Sequence, residues 1–236
     1  MTVKSFPWVS RLAAVGVVVV LTAGFAVAGN AQSVSGRAYG AYVSTPLASL
    51  AQSPLAVLPD VTLTGGEVAT ASADALSAAG TLSSDFLNSS TTGAIGSLVA
   101  TAQSVATVAD INLLSGLITA QEVIAVAASG RDGTSAWSES DGSSFENLVV
   151  NGVAVTTGDA AVAPNTRISL PGVGYVVLNE VSRFGDGVSS SGITVNMIHV
   201  VLQTVIPGTC TLLGCTPDVT QTTGEIIVGS ASSAVQ

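Results

Sequence analysis

The sequence predicts an all-β fold, a single β-sandwich-like domain of mostly antiparallel strands and hairpins preceded by an N-terminal signal-peptide helix. Three observations predict it. β-Branched residues gather in alternating runs, and Gly, Asn and Pro turn signals recur about every ten residues. The third is a chain that is 47% hydrophobic and only 9% charged, with ample apolar surface to bury against chain entropy. A β-solenoid would show the same spacing, but no exact short repeat recurs, which favours the sandwich.

The first 31 residues stand apart. Lys4 and Arg11 form a basic region, and Leu12 to Ala28 is an uncharged apolar run ending in small residues, the layout of a secretory signal peptide. Cleavage fits after Ala28 or after Ala31; the latter is preferred and leaves Gln32 as the mature N-terminus. The competing reading is an uncleaved membrane anchor, since the run sits at the lower edge of what spans a bilayer. The expected domain is therefore residues 32–236.

Within it, Ser33 to Ser44 alternates loosely, as a first strand with a solvated face. Leu55 to Thr64 continues the pattern, and Pro59 marks an edge strand or a break. Residues 67–104, rich in Ala, Ser and Thr, permit helix or strand. Val105 to Ser129 reads as two strands around an apolar "NLLSGL" crossing, and Ser129 to Ser144 as a polar hairpin tip or exposed loop. Asn151-Gly152 in "FENLVVNGVAV" is a type I′ hairpin signal. Ala163 to Glu180 reads as a second hairpin turning at Pro171-Gly172. "GITVNMIHVVLQTVI", Gly192 to Ile206, is the clearest strand, too β-branched for a comfortable helix. A period of two places His199 on one face with Ile193, Val195, Met197 and Val201. "GEIIVGSASSA" closes the chain as a last strand pairing back with it.

Charge excludes one class of function. Losing residues 1–31 removes Lys4 and Arg11 and takes the net charge from −9 to −11, leaving Arg37, Arg131, Arg167 and Arg183 as the cations. A lysine-free acidic chain repels phosphate backbones, so nucleic acid is excluded as a partner. Cys210 and Cys215 read as a disulfide clipping a surface loop, because a redox or metal pair lacks the CxxC spacing and a neighbouring His.

Catalytic patterns are weak. A Ser-His-Asp site would have to use His199, the single histidine, and no GxSxG elbow accompanies it. "GVGYVV" begins like a dinucleotide loop but runs into a strand. Asp132, Glu139, Asp141 and Glu146 crowd one Gly/Ser-rich region, which raises calcium, yet neither EF-hand nor nine-residue repeat spacing is present. A carboxylate pair for glycoside hydrolysis is a matter of spatial separation. Against it, carbohydrate subsites generally want more aromatic platform than Trp137 and three tyrosines supply. No catalytic, cofactor or metal residue is assigned, and the partner is expected to be an extracellular or envelope component.

The succession "NLLSGLITAQEV", "FENLVVNGVAV", "APNTRISLPGVGYVVLNE", "GITVNMIHVVL" and "GEIIVGSASSAV" resembles the choice-of-anchor P family of exported bacterial proteins. The resemblance covers Ala38 to Val235 and is most specific from Asn112 onward, above all in Pro164 to Glu180. It implies an extracellular β-rich domain fused in relatives to different surface anchors, and no catalytic residues. After Gly229 the chain carries no LPxTG-like signal or hydrophobic tail, so release, or retention through the N-terminus, is the expectation. The function expected is non-catalytic: adhesion, envelope structure or protein-protein contact. The alternative is an exported hydrolase of envelope carbohydrate.

Overall fold

The computed structural model describes residues 32–61, 65–211 and 214–236. The leader and both cleavage points, Ala28 and Ala31, lie outside the described residues, and Gln32 is the first of them. No helix among the described residues is long and apolar enough to cross a membrane.

Every described element is a strand, and every pairing is antiparallel. Val34–Ser44 (β1) and Ser49–Val61 (β2) form a hairpin. Gly65–Ala73 (β3), Leu76–Ala78 (β4), Leu82–Ser84 (β5), Leu87–Ile95 (β6), Ala100–Leu113 (β7) and Ile118–Arg131 (β8) follow. Residues 67–104 are thus sheet. Ser and Thr side chains alternate there with small apolar ones, so a strand face can be buried without large residues. Five short strands come next: Ala136–Glu139 (β9), Ser144–Glu146 (β10), Val149–Val150 (β11), Val153–Ala154 (β12) and Asp159–Ala160 (β13). Asn151 and Gly152 both take positive φ, 52° and 74°, as the turn between β11 and β12 requires.

Thr166–Leu170 (β14) and Gly174–Gly185 (β15) make the second hairpin around Pro171-Gly172, and Ser191–Ile206 (β16) follows. Cys210–Thr211 (β17) and Gly214–Cys215 (β18) carry the Cys210–Cys215 disulfide at the tip of a long connection. Val219–Val235 (β19) returns along β16 from Ile206↔Val219 to Ser191↔Val235.

Apart from the β17-β18 pair, the strands form two facing sheets. One runs β14-β15-β16-β19-β1-β2, which puts the Pro59-bearing β2 at an edge. In the other, β3, β6, β7 and β8 lie abreast, and β9, β10 and β11 succeed one another along the far side of β8. Ser129 to Ser144, read as a hairpin tip or an exposed loop, does hold a hairpin tip at residues 132–135, but the exposed-loop reading is corrected. Ala136–Glu139 pairs with β8, and Ser143 Oγ then bonds the Val126 backbone, accepting from its N–H at 2.9 Å and donating to its carbonyl at 3.2 Å. A serine hydroxyl thus stands in for the missing ladder partner, a substitution no periodicity shows.

The inner faces meet in a large apolar core, with a second, smaller cluster around Val34, Leu58, Ile95 and Val235. Val123, Phe145 and Leu148 of one sheet pack with Leu178, Ile198 and Ile226 of the other. Small hydroxyls are buried with them: Ser104 Oγ sits 2.9 Å from Thr91 Oγ1 and donates to the Ser232 carbonyl at 2.7 Å. These two hydroxyls are thereby satisfied.

One transverse row interrupts the alternation. Between the pairs Tyr39↔Ser230 and Ala41↔Val228 lie Gly40 and Gly229, and in line with them stand Met197 on β16 and Asn179 on β15. Gly229 and Asn179 are left-handed, with φ of 66° and 48°. The row shifts facing by one residue. Ile193 and Val195 point inward before it and Ile198 and Val200 after it. His199 consequently faces outward with Asn196, not with Ile193 and Val195 as strict alternation predicts.

Candidate functional site

Two features of the outer surfaces carry polar chemistry: a histidine network on the first sheet and a groove on the second. The network spans four strands. On adjacent strands, His199 Nδ1 lies 2.9 Å from Glu180 Oε2, which also accepts a bond from Asn196 Nδ2 at 2.8 Å. Ser230 Oγ donates to Asn196 Oδ1 at 2.7 Å, and Tyr39 bonds Ser230 in turn, burial pushing its phenol upward. His199 Nε2 stands 3.5 Å from Glu225 Oε2, at ion-pair distance without hydrogen-bond geometry.

The hydrogen bond to Glu180 raises the His199 pKa above its ordinary value, outweighing burial. The same bond lowers that of Glu180. Both imidazole nitrogens face carboxylates, so neither is turned toward a hydroxyl whose proton it could take. The ring also fills the space between Glu180 and Glu225, where a sugar would have to sit for the pair to hydrolyse it.

The four acidic residues singled out from sequence do not converge. Asp132 closes its own turn, accepting from the Thr134 and Ser135 backbone N–H groups at 2.8 Å each, which holds its carboxyl down at about 2. Asp141 lies in the next turn and Glu139 on β9. Glu146 pairs with Glu122 on β8 and with Asp159 on β13. Among the described residues no three or more acidic, His or Cys side chains form a cation site.

The groove crosses β3, β6, β7, β8 and β9 on the outer face of the second sheet, with a volume of ≈ 640 Å³. Register builds its floor in rows. Gly66, Ala94, Thr101, Gly130 and Trp137 stand in line across the five strands, and Val68, Thr92, Gln103, Ala128 and Glu139 form the next line. Trp137 lies over Gly130: a Cβ there would come within 2.3 Å of the indole Cζ2 and 2.4 Å of Cε2. One face of the indole rests on the glycine, yet the residue remains 46% exposed.

Sequence reading named Trp137 and Glu139 but not Gln103 or Thr92. The signal was present in the strict alternation of Thr101, Gln103, Val105 and Thr107 along β7, which sets a polar face beside the tryptophan.

Compared with protein-family models, with curated proteins and with solved structures, the chain matches none.

Proposed function

We propose that this chain is an exported, non-catalytic domain that works by contact, in adhesion, envelope structure or protein-protein contact. The observation that carries the reading is the groove itself: a broad open floor with an exposed tryptophan braced on a glycine. Large exposed aromatic surface rimmed by polar groups marks interaction sites. The competing hydrolase reading is disfavoured by distance. Glu139 projects into the groove from β9, whereas Glu67, between Gly66 and Val68 on β3, alternates to the opposite face of the sheet, its backbone about 19 Å from that of Glu139 at the usual strand spacing. Glycoside hydrolysis uses pairs about 5–9.5 Å apart.

The compartment is part of the proposal. It is supported by the signal-peptide pattern, by the resemblance to choice-of-anchor P proteins and by the Cys210–Cys215 disulfide, which persists in oxidising surroundings. Intact mass of the protein recovered separately from medium and cell envelope tests it. The expected species begins at Gln32 and is lighter by two hydrogens. A reduced, full-length chain in the cytosol would overturn export. Turnover of a polysaccharide or ester by the purified chain, abolished by Glu67→Gln or Glu139→Gln, would overturn the non-catalytic reading.

A further inference from the structure

The groove also says what kind of molecule it would take. We propose that it binds a neutral polysaccharide, one sugar ring stacked on Trp137 and its neighbours laid across the strands toward β3. This rests on the reading of the chain as a contact domain and names what the contact is made with.

The platform is the first ground. Gly130 allows the indole to lie against the strand, so the opposite ring face is presented outward as a flat apolar surface. A pyranose ring offers the matching partner, an apolar C–H face edged with hydroxyls. The floor supplies the polar half. The side chains of Thr92, Thr101 and Gln103 project into the groove and make no hydrogen bond to another described residue. They retain donors and acceptors for a ligand.

Charge and backbone narrow the class. Glu139 projects into the groove and no cation lines it, on a chain of net charge −9, so phosphorylated, sulfated and uronic polymers are repelled. An extended peptide is recognised most readily by pairing with a sheet edge. Here the ligand would meet a sheet face, whose backbone groups are already spent in the ladders, and recognition falls to side chains alone. A sugar ring is about as long as the gap between strands, about 4.8 Å. A chain crossing the five strands therefore moves about one ring per strand.

Trp137 makes the test direct, since the other tryptophan is Trp8. With Trp8→Phe wherever the first residues are retained, all tryptophan emission comes from the proposed platform. The chain is titrated with xylan, hydroxyethylcellulose, dextran and chitin oligomers, and in parallel with heparin and an extended neutral peptide.

The expected result is a saturable emission change with at least one neutral glycan and none with heparin. Trp137→Ala, followed by affinity electrophoresis, should weaken binding about tenfold. Trp137→Phe should retain part of the affinity, and Gln103→Ala, which leaves the platform in place, should also weaken it. The inference is overturned if no neutral glycan alters the emission, or if binding survives Trp137→Ala in a folded chain. A response to the peptide alone would overturn the glycan assignment while leaving the contact-domain reading standing. Hydrolysis of a bound glycan would instead sink that underlying reading.

Discussion

The Nδ1 of His199 and the Oε2 of Glu180 stand 2.9 Å apart on adjacent strands, a half-buried pair that shifts both titrations in opposite directions. Stability should follow pH accordingly. The raised pKa of His199 gives a contribution fully present below its ordinary value of 6.5 and lost as pH rises through the raised one. Glu180 contributes above its ordinary 4.5, and that contribution is lost as pH falls through the lowered value. The pair is therefore strongest between these limits. Urea unfolding of the wild type should weaken on the alkaline side by on the order of 1 kcal/mol after solvent screening. His199→Gln should remove that dependence, and an unchanged profile in the variant would refute the assignment.

Gly229 occupies a left-handed position, and a Cβ there would meet Val123 Cγ1 at 3.0 Å. Gly229→Ala should cost about 2 kcal/mol, from backbone strain with crowding against the opposite sheet. For a domain of this size that lowers Tm by about 4–8 °C. A calorimetric scan within a degree of wild type would show that the transverse row tolerates ordinary backbone.

Glu146 lies directly opposite Glu122 on one side and Asp159 on the other. Like charges in facing strand positions repel, so Glu146→Gln should stabilise the chain by about 0.5 kcal/mol. Added sodium chloride should raise the wild-type Tm more than the variant's. Equal salt responses would mean that the three carboxylates splay apart in solution.

Ser104 links Thr91 to the Ser232 carbonyl between the sheets. Ser104→Ala should cost about 1–2 kcal/mol, because it strands two buried polar groups. Combined with Thr91→Val, the loss should be smaller than the two single losses added, as a double-mutant cycle in urea would show. Strict additivity would mean that water replaces the missing hydroxyl.

The fold was legible where backbone chemistry is local. Asn151-Gly152 dictates its turn, Pro171-Gly172 its hairpin, and the β-branched run from Gly192 to Ile206 its strand. Alternation failed at His199, since the facing shift comes from Gly229 and Gly40 on strands distant in sequence, and no window around His199 contains them. The groove was hidden for a related reason. Trp137 and Gly130 are seven residues apart, but Gly66 and Ala94 reach the same row only through pairing. Residues 67–104 were ambiguous because Ala favours helix while the interleaved Thr favours strand, and burial between the sheets decided for strand.

Ser33 and Gln236 exchange two backbone hydrogen bonds of 2.9 Å, and β1 begins beside the end of β19. Both ends thus emerge side by side from neighbouring antiparallel strands. Tension applied between them would part β1 from β19 as a zipper, one rung at a time, the direction in which a sheet yields at lowest force. As a link stretched between two bodies the domain would be mechanically frail, whereas tethering by one end leaves that seam unloaded.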